Sequence, residues 1–143
     1  MTAASAAGIA VVFVWLGMVL AISFLEAPLK FRAPGVTVPI GLGIGRLVFR
    51  ALNSIETGFA AALVAVTGAA PPPAPAITAV AIAVAVLLAQ LALVRPRLSR
   101  RADAVLAGEE APRSFGHHAY IVLELAKTAA LLTAGIMLLQ SAR

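Results

Sequence analysis

Two glutamates and a lysine stand inside stretches that otherwise read as apolar spans. Glu56 lies in V-F-R-A-L-N-S-I-E-T-G-F-A-A-A-L, and Glu124 and Lys127 lie in H-H-A-Y-I-V-L-E-L-A-K-T-A-A-L-L. An ionisable side chain in hydrocarbon costs several kcal/mol unless it is paired or hydrated, so such residues mark candidate functional sites. Residues three or four apart share one face of a helix. Arg46, Arg50, Asn53 and Glu56 step by 4, 3 and 3, and His117, Tyr120, Glu124 and Lys127 step by 3, 4 and 3, giving two polar stripes. Glu56 lies six residues past Arg50 and Glu124 six past His118, a rise of about 9 Å in each case. If the stripes face each other, they form a polar cleft between the second and fourth spans. The chemistry such a cleft offers is recognition of an anionic headgroup by arginines and histidines at its mouth. Deeper in, Glu56 and Glu124 would exchange protons or hold a cation.

Each of these residues also has a purely structural reading. Glu124 and Lys127 can neutralise one another as an ion pair that locks helix packing. Glu56 with Asn53 can act as interhelical glue. Arg50, His117 and His118 sit where side chains snorkel to an interface and touch headgroups. Adjacent histidines on a helix point about 100° apart, which is poor geometry for a shared metal. A metal held by a histidine with Glu124 and Glu56 is the weaker alternative, and no cofactor is expected. Trp15 reads as a packing or interfacial residue. G-L-G-I-G (residues 41–45) lacks the preceding strand and the following Lys-Ser/Thr of a phosphate loop. It reads instead as a place where the second helix packs closely or enters the membrane at an angle. No Ser-His-Asp set has credible geometry, and no catalytic residue is assigned.

The elements that must position these groups follow from composition. The chain has 143 residues, 62% hydrophobic and only 12% charged, against about a quarter charged in a soluble domain. About 20 apolar residues cross a bilayer core, and four spans are predicted, at residues 7–25, 44–68, 76–94 and 115–139. Pro28, Pro34 and Pro39 are expected to break the chain between the first two. The tract G-A-A-P-P-P-A-P (residues 68–75) makes a short uncharged turn, because consecutive prolines remove backbone donors. Residues 95–113 read as a charged connecting segment.

Nine of the eleven basic residues fall in two clusters, Lys30, Arg32, Arg46 and Arg50, then Arg95, Arg97, Arg100, Arg101 and Arg113. Without interleaved aromatics these are topology signals, and nucleic acid is not an expected partner. Basic loops are retained in the cytoplasm, so both termini face outward. The expectation is an all-α, polytopic transmembrane four-helix bundle, up-down-up-down, forming one domain over residues 1–143. Its place would be a bacterial inner (cytoplasmic) membrane. There is no cysteine, which excludes a disulfide framework and a thiol nucleophile. An offset of 68 residues superimposes Pro28 on Pro96, Arg32 on Arg100, Arg50 on His118 and Glu56 on Glu124. A duplicated two-helix hairpin would explain that register.

Three motifs carry a resemblance: Pro28 to Phe31 at the end of the first span, Val48-Phe49 early in the second, and Arg113 to His118 opening the fourth. With them the chain resembles a family of small bacterial four-span proteins of unknown function, related to a eukaryotic four-span protein linked to cisplatin resistance. That resemblance implies a four-helix membrane fold and supplies no activity. R-A-L-N-S-I-E is also similar to the R-A-x-x-N-x-x-E signature of MAPEG proteins, membrane enzymes of glutathione and eicosanoid metabolism. Carried over, it implies that Arg50, Asn53 and Glu56 help hold glutathione.

The leading expectation is a membrane protein whose cytoplasm-facing cleft binds or helps transport a small or amphipathic compound. Its lining would be Arg46, Arg50, Asn53, Glu56, His117, His118, Tyr120, Glu124 and Lys127. The alternative is a non-catalytic accessory or helix-packing subunit, as a homo-oligomer or within a larger membrane complex. A MAPEG-like enzyme is the third reading.

Overall fold

The computed structural model describes residues 1–112 and 115–143. Arg113, with the start of the motif that runs from it to His118, lies outside the described residues. Four helices are long and apolar enough to cross a membrane: α1 (Ala3–Arg32), α2 (Val38–Ala69), α3 (Ala74–Leu106) and α4 (Phe115–Ser141). No strand occurs among the described residues.

Local chemistry sets the helix ends. The Thr2 hydroxyl accepts the Ser5 N–H at 3.0 Å to cap α1, and the Thr37 hydroxyl does the same for Ile40 at 3.4 Å to cap α2. Pro39 stands two residues after Thr37, in a first turn whose N–H groups have no intrahelical partner in any case. It therefore starts α2 six residues earlier than the predicted span instead of breaking the chain. At the far end of α3, Glu109 N–H bonds to the Ala104 carbonyl and Gly108 N–H to Val105. This closing turn needs a residue at positive φ, which Gly108 supplies at +87°.

Two other expected breaks are also absent. α1 runs through Pro28 and α3 runs through Pro96, so residues 95–106 continue a helix instead of forming a loop. Just ahead of each proline the helix widens to an i→i−5 pattern, over Leu20–Glu26 and Gln90–Val94. The Ala27 N–H reaches the Ile22 carbonyl, and the Arg95 N–H reaches that of Gln90. A proline has no N–H to donate and its ring crowds the preceding turn, so a widened turn lets the helix absorb it. The 68-residue offset carries Glu26 onto Val94, the last residue of each widened turn.

α1 packs on α2 and α4, α3 packs on α4, and α2 lies against the later part of α3. Among the described residues, neither α1 with α3 nor α2 with α4 makes an extended backbone contact, so each pair sits across a diagonal. The core joins Val12, Leu16 and Val19 of α1 to Leu63 of α2, Leu87 of α3 and Leu131 of α4. Ala76, Ala79 and Ala83 face Ala130 and Ala134, and these small residues allow α3 and α4 to approach closely.

Glycines serve close approach at two places. A Cβ on Gly41 would stand 2.2 Å from the Phe31 ring, and one on Gly135 would stand 2.7 Å from the Phe13 ring. The expected role of Gly41 in helix packing is therefore met. Phe31 is exposed and can swing aside, whereas Phe13 is packed against the core. Gly135→Ala is accordingly expected to lower stability by about 1–3 kcal/mol through overpacking. Thermal unfolding in detergent checks this, and Gly41→Ala should show the smaller loss.

Candidate functional site

All four helices send polar side chains into the same buried layer: Trp15, Glu56, Gln90, and both Glu124 and Lys127. Lys127 of α4 is fully buried, and its ammonium lies 2.5 Å from Glu56 Oε1 of α2. It also donates to Gln90 Oε1 of α3 at 2.9 Å. Its third neighbour is Glu124 Oε1, one helical turn away at 2.9 Å. That last approach is an ion-pair contact without hydrogen-bond direction, so Glu124 Oε1 has a counter-charge but no donor. The Gln90 amide closes the circuit by donating from Nε2 to Glu124 Oε2 at 3.1 Å. From α1, the Trp15 indole N–H donates to Glu56 Oε1 at 2.9 Å. Glu56 and Lys127 have no exposed surface, and Gln90 and Glu124 are 1% exposed. A buried charge is tolerated only where partners and hydrogen bonds replace water, and this layer provides both.

The two stripes read from sequence therefore do meet, but only through their longest side chains. α2 and α4 lie across the diagonal, and between them the Glu56–Lys127 contact and the Phe49–Tyr120 ring contact occupy the space. A side pocket of about 310 Å³ lies between α2 and α3. α2 lines it with Arg46, Arg50, Asn53, Ser54 and Thr57, and α3 lines it with Leu91, Arg95 and Ser99. The Arg95 guanidinium lies 5.5 Å from the centre of the Phe49 ring, a distance at which the ring's electron-rich face attracts a cation. Arg46 is partly engaged by Asp103 of α3. That pair is 35% and 55% exposed, so it contributes little to stability.

The remaining expected residues fall elsewhere. Tyr120 is buried edge-on to Phe49, with ring centres 5.7 Å apart, and its hydroxyl has no hydrogen-bond partner. His118 is exposed and His117 half-buried, with their rings 5.7 Å apart. Neither lines the pocket. Among the described residues, no group of three or more histidine, cysteine, aspartate or glutamate side chains is placed to hold a metal ion.

Two members of the layer escape a sequence reading. Gln90 is a single amide in an otherwise uncharged span, and Trp15 looks like one more large apolar residue. Their signal is composition: Trp15 is the only tryptophan, and Gln90 is the only strongly polar side chain in residues 79–94.

With this geometry in hand, the chain can be set beside known proteins. No protein-family model, curated protein or solved structure matches it. The residues themselves must carry the functional argument. Of the three that the MAPEG-like signature would assign to a thiol ligand, Arg50 and Asn53 line the pocket and Glu56 is sealed in the buried layer.

Proposed function

We propose that this chain is a multi-pass protein of a bacterial inner membrane that binds, or helps transport, a small amphipathic anion in the pocket between α2 and α3. In this reading the helices run up-down-up-down with both termini outside. The pocket opens at the cytoplasmic, basic end, consistent with the positive-inside rule. The single observation that carries it is the convergence of Arg46, Arg50 and Arg95 with Asn53 and three hydroxyls on one cavity of about 310 Å³. Guanidinium groups match carboxylate and phosphate oxygens with paired N–H donors. The exposed leucines and isoleucines on the helix flanks would seat an attached apolar tail beside the lipid.

The test titrates purified protein in neutral detergent with short-chain phosphatidylglycerol and with a medium-chain fatty acid. Arg50→Gln combined with Arg95→Gln is expected to weaken binding at least about tenfold, the equivalent of about 1.4 kcal/mol. Equal binding by the parent and the double variant would sink the reading.

A second reading, an accessory or helix-packing subunit, draws on the outward face of α2. Ala51, Gly58, Ala61, Ala65 and Gly68 are all exposed there, at helical spacing. Small residues of this kind let membrane helices approach closely. Loss of assembly with unchanged ligand binding in an Ala61→Leu variant would favour it. The glutathione-dependent enzyme is the third reading, and a conjugation assay without turnover removes it.

A further inference from the structure

We propose that the buried layer is a proton-binding site, and that its exchangeable proton resides on Glu56 Oε2. This inference needs the bundle to lie in a membrane but does not depend on the anion pocket.

Charge balance comes first. Glu56, Glu124 and Lys127 form a sealed group of two carboxylates and one ammonium, so the ionised layer carries one excess negative charge. The groups facing it from every side are known. α1 offers only the neutral indole of Trp15. α2 adds Asn53, which is neutral, and Arg50, which is exposed at the pocket. α3 adds neutral Gln90 and, farther off, Arg95. α4 adds the Tyr120 phenol, whose buried hydroxyl has no hydrogen-bond partner and which interacts electrostatically with both carboxylates. Arg95 interacts electrostatically with both carboxylates. Among the described residues, however, neither it nor any other arginine forms an ion pair with Glu56 or Glu124, whose cationic partner is Lys127. An uncompensated charge in a low-dielectric interior is costly, and taking up a proton is the least disruptive way to remove it.

The hydrogen bonds then select the atom. The hydrogen bonds of the layer run from the indole N–H and one ammonium N–H to Glu56 Oε1, from a second ammonium N–H to Gln90 Oε1, and from the Gln90 amide to Glu124 Oε2. Glu124 Oε1 has the ammonium beside it at 2.9 Å. Glu56 Oε2 is fully buried and accepts no hydrogen bond, the ammonium and indole N–H groups both being aimed at Oε1. A proton placed there makes the layer neutral without moving any heavy atom, and the reaction is simple reversible protonation of a carboxylate. A metal cation fits less well, because the Lys127 ammonium already occupies the point between the two carboxylates.

Trp15 is the chain's only tryptophan and bonds directly to the carboxyl in question. Its emission is therefore a single-site reporter. The experiment titrates the protein in lipid nanodiscs across the neutral range, following Trp15 fluorescence and the infrared C=O band of protonated carboxyls in H2O and D2O. Only six carboxylate side chains are present, and the other four lie outside the sealed layer. The expected result is one fluorescence transition with the same midpoint as one deuterium-sensitive carboxyl band. Glu56→Gln and Glu124→Gln should each abolish both signals, since either substitution leaves a balanced pair with Lys127. Retained helical content by circular dichroism confirms that the variants fold. A parent protein with no protonated carboxyl band at any pH in the range overturns the proposal. So does a band that survives both substitutions, or a transition that moves when sodium replaces potassium at fixed pH. None of these outcomes depends on Arg50 or Arg95, so failure here and failure of the anion pocket are read separately.

Discussion

Lys127→Met is expected to cost about 3–5 kcal/mol of stability, the typical penalty for removing one partner from a buried ion pair. Among the described residues, the ammonium is the only positive charge in ion-pair contact with Glu56 and Glu124, both of which have essentially no access to water. Methionine fills much of the same volume, so the loss reads the missing charge more than a cavity. Unfolding in mixed micelles of mild and denaturing detergent would measure it. The decisive companion is the triple variant Lys127→Met, Glu56→Gln, Glu124→Gln. With no ion left in the layer, it should recover most of the loss, because a neutral replacement for a buried ionic group is often tolerated. A triple variant as unstable as the single one would mean that side-chain packing, not charge, holds this level of the bundle.

Gln90→Leu is the second large effect, expected at about 3 kcal/mol. The amide is both acceptor for Lys127 and donor to Glu124, so leucine strands one N–H and one carboxylate oxygen in a dry interior. Hydrogen bonds to charged groups are worth about 1.5–3 kcal/mol each, and their loss leaves both partners unsatisfied. Gln140→Leu is the natural control. Gln140 is exposed near the end of α4, and its replacement should stay within about 0.5 kcal/mol of the parent. Equal losses at the two positions would contradict the bonding of the buried layer.

Much of the architecture is legible in the sequence because lipid-scale apolar runs leave few options. Four spans are expected and four helices of that length are found. The misses fall at prolines. Pro28 reads as a break because a proline normally costs a helix its i→i−4 bond, and residues 95–113 read as a connecting segment because they are charged. The widened turns that absorb Pro28 and Pro96 have no signature in residue type. Pro39 is misplaced for the opposite reason, since the same residue that stops a helix also starts one well.

The site is legible in part. Glu56, Glu124 and Lys127 stand out because charge is rare in such spans, and spacing puts Glu124 and Lys127 on one face. Spacing within a helix says nothing about which helices are neighbours, however. Between the second and fourth spans, where a cleft is expected, Glu56 meets Lys127 and Phe49 meets Tyr120, and the pocket beside α2 uses Arg95, which the sequence reading assigned to a loop. His118 fails for a rotational reason: it is one residue from His117, which turns it about 100° away, and it ends up exposed.

The layer at Trp15, Glu56, Gln90, Glu124 and Lys127 also bears on how such a bundle assembles. In lipid an alanine-rich helix gains almost as much from the acyl chains as from its neighbours, so apolar contact discriminates poorly between one vertical placement and the next. A slip of one turn, about 5.4 Å, would cost most alanine contacts little. At this level it would break a bond belonging to the slipped helix and leave a charge unmatched. Each helix thus contributes one character to a checksum, and only the correct alignment of all four validates it.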